Sequence, residues 1–154
     1  MNSSFVERGG AWVAVQGAIM VAVLALGVLT RSTTFSLPMA LAGVVCFVLG
    51  AFFGLGGAIA LGSSLTPFPK PSSSTRLVRH SVYAVVRHPL YTSVVLFSAG
   101  WALIWQSWPA WGPVLVLAML FDAKARREER WLRERFAAYG DYAKTTRKFI
   151  PWVY

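Results

Sequence analysis

The stretch RHPLY, residues 87–91, sets an arginine and a histidine directly before a proline and a long apolar run, and two adjacent acids, Glu128 and Glu129, follow that run. Pro89 has no amide hydrogen, which suits the first turn of a helix, and it pushes His88 out of helical geometry into the capping position. A helix N-terminus offers free amides and positive partial charge, so an anion can bind there, beside Arg87 and His88. The plainer reading is that Arg87 snorkels to headgroups and His88 caps the helix. At about 100° per residue, Phe121, Ala125, Glu128, Leu132, Phe136 and Tyr139 share one helix face, and Arg126, Arg127, Arg130 and Glu134 share the other. Glu129, at the edge of the apolar stripe, can pair with Arg133 at i,i+4. Glu128, within the stripe, needs a protein cation such as Arg87, or a cationic ligand. At a bilayer boundary such an acid is a functional candidate. An anion-binding helix end facing a pair of acids fits a zwitterion with an additional positive centre.

The elements that must position these groups are membrane helices. The chain has 154 residues, 56% hydrophobic and 14% charged, the latter roughly half the share of a soluble domain, with a mean hydropathy of +0.54. Ala11 to Thr30 and Leu37 to Thr66 are uncharged, and so is Tyr91 to Phe121, which is 31 residues long. A span needs roughly 20 apolar residues, and QSWPAWGP breaks the third stretch with Pro109, Gly112 and Pro113. The expected fold is an all-α integral membrane protein forming a single membrane domain over 1–154. Its four spans are about 11–30, 38–61, 90–107 and 111–123, with a tight hairpin between spans three and four and a C-terminal cytoplasmic amphipathic helix. The first apolar run is too long for a signal core and its Glu7–Arg8 flank is weakly basic, so it reads as a retained helix.

The net charge of +9 is placed unevenly. Lys70, Arg76, Arg79 and Arg87 lie between spans two and three, and nine further Lys and Arg follow span four. By the positive-inside pattern this multi-pass protein has both termini and the middle loop, and hence the active site, in the cytoplasm. A basic juxtamembrane face explains the charge without nucleic acid. The middle loop carries Pro67, Pro69 and Pro71, which forbid a regular helix and suit either a stiff linker or a lid. Cys46 lies within span two as a small hydrophobe, and no metal-ligand cluster is apparent. Gly54, Gly56 and Gly57 suit close helix packing. Trp101, Trp105 and Trp108 share a face suited to interface anchoring.

L-T-P-x-P-x-P at 65–71, Y-x-x-x-R-H-P-x-Y at 83–91 and E-E-x-x-L-x-x-x-F-x-x-Y-x-x-Y from 128 to 142 resemble the isoprenylcysteine carboxyl methyltransferase family. More broadly, they resemble membrane methyltransferases that include the phospholipid N-methyltransferases. The resemblance covers about residues 61–151. It implies S-adenosylmethionine as cofactor and methyl donor at the cytoplasmic side, and a lipophilic acceptor reached from the bilayer. It places Tyr83, His88, Pro89, Leu90, Tyr91 and Glu128 at the cofactor pocket, with Tyr139 and Tyr142 closing over it. Glu128 and Glu129 match the family's acidic pair near the reacting centre. Arg87 and Arg147 match basic positions that could meet an acceptor's carboxylate or phosphate. Ser81 stands where members often have glycine, as do Thr92 and Ser93.

Methyl transfer of this kind is an in-line displacement that needs alignment and exclusion of water. A carboxylate acceptor needs no base, whereas for an amine or thiol Glu128 or Glu129 could take the proton. The expected function is therefore an S-adenosylmethionine-dependent methyltransferase, of carboxyl O-methyl type, acting on a membrane-embedded acceptor such as an isoprenylcysteine-type carboxylate. Three alternatives stand beside it: phospholipid or small-molecule N- or S-methyl transfer, an NADPH-dependent sterol-reductase-like enzyme, and a non-enzymatic membrane scaffold. The two acids disfavour a 2′-phosphate, and Glu128 on an apolar face is hard to reconcile with a scaffold. Neither metal nor nucleic acid is expected as a partner. Nothing in these residues selects among acceptors or fixes an oligomeric state.

Overall fold

A computed structural model describes residues 9–66 and 76–154. Helix α1 is Gly10–Leu29, α2 is Leu37–Leu61, α3 is Pro89–Ile104, α4 is Trp111–Arg135 and α5 is Tyr139–Thr145, with 3-10 turns at Gly62–Ser64 and Ser81–Ala84. Among the described residues there is no strand, only an isolated parallel bridge between Val86 and Arg147. The prolines of the middle loop lie outside the described residues, as do Glu7 and Arg8.

Gly10–Leu29 and Leu37–Ser64 are long and apolar enough to cross a membrane, by length and composition, and Pro89–Ile104 is a shorter apolar helix. The outward surfaces fit such a setting: Val44, Val48, Phe52, Leu55 and Ile59 of α2 are all exposed. The opposite face of α2 is a glycine stripe against α3, and these two helices make the most extensive contact in the molecule. A Cβ at Gly54 would come within 2.5 Å of Ser93 Oγ, and one at Gly43 within 2.9 Å of the Gly100 carbonyl. Small residues thus let the backbones approach, and Ser93 donates to the Gly50 carbonyl at 2.7 Å.

At one end of the bundle the 105–110 turn locks onto the α1–α2 connection. Gln106, at φ 51°, accepts from the Ser36 amide at 2.9 Å and donates to the Ser36 carbonyl at 3.0 Å. Ser107 meets Thr30 at 2.7 Å, and Trp101 donates to the Leu24 carbonyl at 3.2 Å. Trp101 therefore packs α3 on α1, whereas Trp108 is exposed. The polar motifs gather at the opposite end.

The amphipathic helix expected to run on from span four breaks at Phe136, whose extended backbone (φ −123°) ends α4. The chain then turns so that Tyr139 and Tyr142 are buried. The inward face of α4 steps through Leu117, Phe121, Ala125 and Glu129. Steps of four advance the stripe by about 40° each, which carries it past Glu128 onto Glu129. The expectation that Glu128 is the buried acid is corrected accordingly: Glu129 is buried and Glu128 half-buried.

Candidate functional site

Pro89 opens α3, and His88 takes the N-cap position without a side-chain capping bond. Its backbone and that of Arg87 are held from outside the helix. The Arg87 amide donates to the Arg147 carbonyl at 2.8 Å, and the His88 amide to the Lys148 carbonyl at 3.1 Å. Thr92 Oγ1 adds a bond to the Phe149 carbonyl at 3.1 Å. The C-terminal segment thus straps the start of α3, and Asp122 pins the strap to α4 by accepting from Lys148 Nζ at 2.7 Å and the Tyr154 hydroxyl at 2.9 Å.

The freed side chains turn to the acids. Arg87 Nε donates to Glu129 Oε1 at 2.9 Å, and His88 Nε2 lies 3.1 Å from the same oxygen. Arg87 Nη1 donates to the carbonyls of Ala143, at 3.0 Å, and Thr146. Glu129 therefore bonds to Arg87 and His88 rather than to Arg133, whose guanidinium stacks over Tyr139. Burial alone raises the Glu129 carboxyl pKa, but the His88 hydrogen bond and the charges of His88 and Arg87 outweigh it and hold the pKa at about 2.

Glu128 faces the other way. Its Oε2 accepts from the Tyr91 hydroxyl at 2.8 Å and lies 3.8 Å from His88 Nδ1. The Tyr91 ring stacks on both His88 (centroids 5.3 Å apart) and Phe121 (4.8 Å). Burial pushes the Tyr142 phenol up to about 12 and raises Tyr83 and Tyr139 as well, the nearby glutamate charges acting in the same direction. All three phenols thus remain protonated donors at neutral pH.

Between these groups lies a cleft holding about 770 Å³ of non-protein space, counted out to its open mouth. Tyr83, Arg87, His88, Leu90, Tyr91, Glu128, Tyr139 and Tyr142 line it, together with apolar residues such as Leu61, Val78 and Leu132. The Tyr142 hydroxyl is used, donating to the Tyr83 carbonyl at 2.6 Å. The Tyr139 hydroxyl is buried and has no hydrogen-bond partner among the described residues, so its donor is unused there.

The family model for phospholipid methyltransferases matches residues 38–139 of this chain. The chain belongs to the phospholipid methyltransferase family. The cobalt-zinc-cadmium resistance protein CzcN of Cupriavidus metallidurans is 32% identical over 76 residues, 49% of this chain but only 35% of that protein. The chain thus spans about a third of that relative's length. The structure of a eukaryotic intramembrane Ras methyltransferase, the isoprenylcysteine carboxyl methyltransferase ICMT, superposes with a TM-score of 0.68. The match is 22% identical, covering 99% of this chain and 55% of that one. The likeness is one of fold, an all-helical membrane architecture.

Within this family member the residues expected at the site are not all equivalent. Tyr83, Arg87, His88, Leu90, Tyr91, Glu128, Tyr139 and Tyr142 come together around the cleft. Pro89 is buried behind it against Gly57. Glu129 sits behind Arg87 and His88 as their shared acceptor. Arg147 is exposed and contributes its carbonyl and bridge rather than lining the cleft. Sequence reasoning missed Asp122, Lys148, Phe149 and Tyr154, which hold the strap. The aromatic ending FIPWVY was the available signal. Among the described residues no cluster of His, Cys, Asp and Glu could hold a metal.

Proposed function

We propose that the protein is a membrane-embedded, S-adenosylmethionine-dependent methyltransferase acting on a lipophilic acceptor. The observation that carries this reading is the cleft itself, with an acid, an unused buried phenol and an arginine on its wall. S-adenosylmethionine has a sulfonium and an ammonium, which suit Glu128, and a carboxylate, which suits Arg87 and the start of α3. The Tyr139 hydroxyl gives a further donor, and Leu61, Val78 and Leu132 supply apolar wall for an adenine. Bound there, the cofactor supplies an electrophilic methyl group.

The chain's own contribution is positioning. Arg87 and His88 are fixed from behind by Glu129 and from the side by the strap, so their cleft-facing atoms are preorganised. Tyr91 holds the Glu128 carboxylate by its hydroxyl, and the surrounding apolar residues keep water out. Glu128 is the group placed to take a proton from an amine or thiol acceptor, and a carboxylate acceptor needs none.

The finer reading comprises four membrane spans, formed by α1, α2, α3 and the apolar first half of α4, within one membrane domain whose cofactor-binding core covers about 61–151. Two connections lie at one end of the bundle and the cleft at the other, which supports this count. The basic residues around the cleft favour its facing the cytoplasm, together with both termini. The finer type we read is carboxyl O-methylation, which needs no general base and leaves Glu128 to the cofactor's positive groups.

Calorimetric titration of the detergent-purified protein with S-adenosylmethionine, its demethylated product and NADPH tests the reading. Binding of the first two, weakened about tenfold or more in Glu128→Gln, is expected. Binding of NADPH alone moves the protein to the reductase class, and no binding by a folded sample points to a scaffold.

A further inference from the structure

The strap that holds the start of α3 closes into a turn of its own. The amides of Phe149 and Ile150 both donate to the main-chain oxygen of Tyr154 at 2.7 Å, and those of Val153 and Tyr154 donate to the Ile150 carbonyl at 3.2 and 3.0 Å. Trp152 at the crest has φ 62°, a left-handed backbone that a residue with a Cβ adopts at a cost. The base of the turn is packed, with the Phe149 ring 5.7 Å from that of His88 and 6.2 Å from that of Tyr154. Its outer side is not: Trp152 is 88% exposed, Val153 74% and Ile150 54%. A strained, closely bonded turn thus holds three apolar side chains outward.

The depth of the turn follows from its partners. Thr92, one turn into α3, bonds to the Phe149 carbonyl at 3.1 Å, and the Tyr154 hydroxyl donates to Asp122 at 2.9 Å. Asp122 is the first charged residue of α4. Leu115, Met119 and Asp122, at i, i+4 and i+7, share one side of that helix, and the first two are exposed. The outward apolar stripe of α4 therefore ends at the residue that holds Tyr154. Ile150, Trp152 and Val153 extend it at that level, the depth at which tryptophan anchors proteins in bilayers.

We propose that the turn 150–153 is an interfacial anchor. Ile150, Trp152 and Val153 seat in the boundary between headgroups and acyl chains beside α4, and the seated turn keeps the strap on the start of α3. Release of the strap frees the Arg87 and His88 amides from the Arg147 and Lys148 carbonyls and loosens the cleft wall. The anchor rests on the reading of α3 and the apolar half of α4 as spans, and on nothing about donor or acceptor.

The test reads depth first, in phosphatidylcholine vesicles. A nitroxide is attached through Val153→Cys in a Cys46→Ser background, with Met119→Cys and Lys144→Cys as references for lipid and water. Collisions with oxygen, which concentrates in the bilayer, are compared with those of a neutral nickel chelate, which stays in water. The Val153 label should meet oxygen in preference to nickel, as the Met119 label does, and the Lys144 label should do the opposite. A Val153 label that meets nickel as the Lys144 label does, or is shielded from both, overturns the anchor. Spin–spin broadening at Val153 that vanishes on dilution with unlabelled protein means that a second copy covers the turn, and overturns it too. A Met119 label in water removes the span reading and the anchor with it, whereas a Val153 label in water with Met119 in lipid removes the anchor alone. The second arm follows amide exchange at Arg87 and His88 in the same vesicles. Ile150→Gln, Trp152→Gln and Val153→Gln together should speed it roughly tenfold or more, the scale of an apolar side chain withdrawn from water, and Trp152→Phe should leave it unchanged. Should the triple variant fail to fold, the depth measurement still decides the anchor. Unchanged exchange in a folded triple variant overturns the anchor's hold on the strap.

Discussion

Replacing Glu129 by glutamine should destabilise the protein through the loss of one charge. The Glu129 carboxyl is held at about 2, against an ordinary value of 4.5, by His88 and Arg87. At about 1.4 kcal/mol per unit, that difference corresponds to about 3 kcal/mol of folding free energy at neutral pH. The figure agrees in scale with the roughly 3–5 kcal/mol cost of breaking a buried pair from one side. Arg87 keeps its bonds to the carbonyls of Ala143 and Thr146, which places the expected loss toward the lower figure. In thermal unfolding of the detergent-solubilised protein, Tm should fall by about 6–12 °C for Glu129→Gln, at about 2–4 °C per kcal/mol for a chain of this size. Because the folded-state pKa is depressed, the contribution is complete above pH 4.5 and disappears as pH falls toward 2. Wild-type stability should therefore drop through that window, and the variant should have a lower and flatter profile. An unchanged Tm, or a variant that loses stability on acidification as steeply as the wild type, refutes the assignment of Glu129 as the buried anchor of Arg87 and His88.

Glu128→Gln should do the reverse, since this acid faces the cleft. We expect S-adenosylmethionine affinity by calorimetry to fall roughly ten- to a hundredfold, the worth of a hydrogen bond to a charged group, with Tm nearly unchanged. Ser81 has φ 57°, a left-handed backbone that costs a non-glycine residue about 1–2 kcal/mol. Ser81→Gly should therefore raise stability by roughly 0.5–1 kcal/mol after glycine's added unfolded-state freedom, read as a small rise in Tm. Gly54→Ala drives a Cβ to within 2.5 Å of Ser93 Oγ, whereas Gly17→Ala meets nothing within 4 Å among the described residues. The first should cost about 1–3 kcal/mol and the second should be neutral or stabilising, compared by Tm in the same detergent.

Much of this arrangement is legible in the residues. Pro89 fixes where α3 begins, and the glycines of α2 announce a close helix contact. The motif around Tyr83 and Tyr91 and the first acid after the apolar run, Glu128, fold to one cleft. Ser81, where the family resemblance leads one to expect glycine, occupies a left-handed position, so the departure has a physical meaning that spacing alone did not show. The distinction between Glu128 and Glu129 was not legible. A difference of about 100° around a helix is decided by the tilt and rotation of α4 against Arg87, which are tertiary quantities. The strap was hidden because Arg147, Lys148 and Phe149 reach the start of α3 through backbone carbonyls, which no side-chain pattern encodes, and because the Lys148–Asp122 pair joins residues far apart in the chain.

The central claim is that a methyl group passes from S-adenosylmethionine to a lipid-phase acceptor in the cleft between α3 and α4. Its most direct measurement incubates membranes containing the protein with methyl-tritiated S-adenosylmethionine and counts label extracted into organic solvent. Label that appears with the wild type and falls about tenfold or more with Glu128→Gln, at equal protein level and subsaturating donor, is the predicted result. Background counts for a wild type shown to bind S-adenosylmethionine, or equal label from the variant, contradict it.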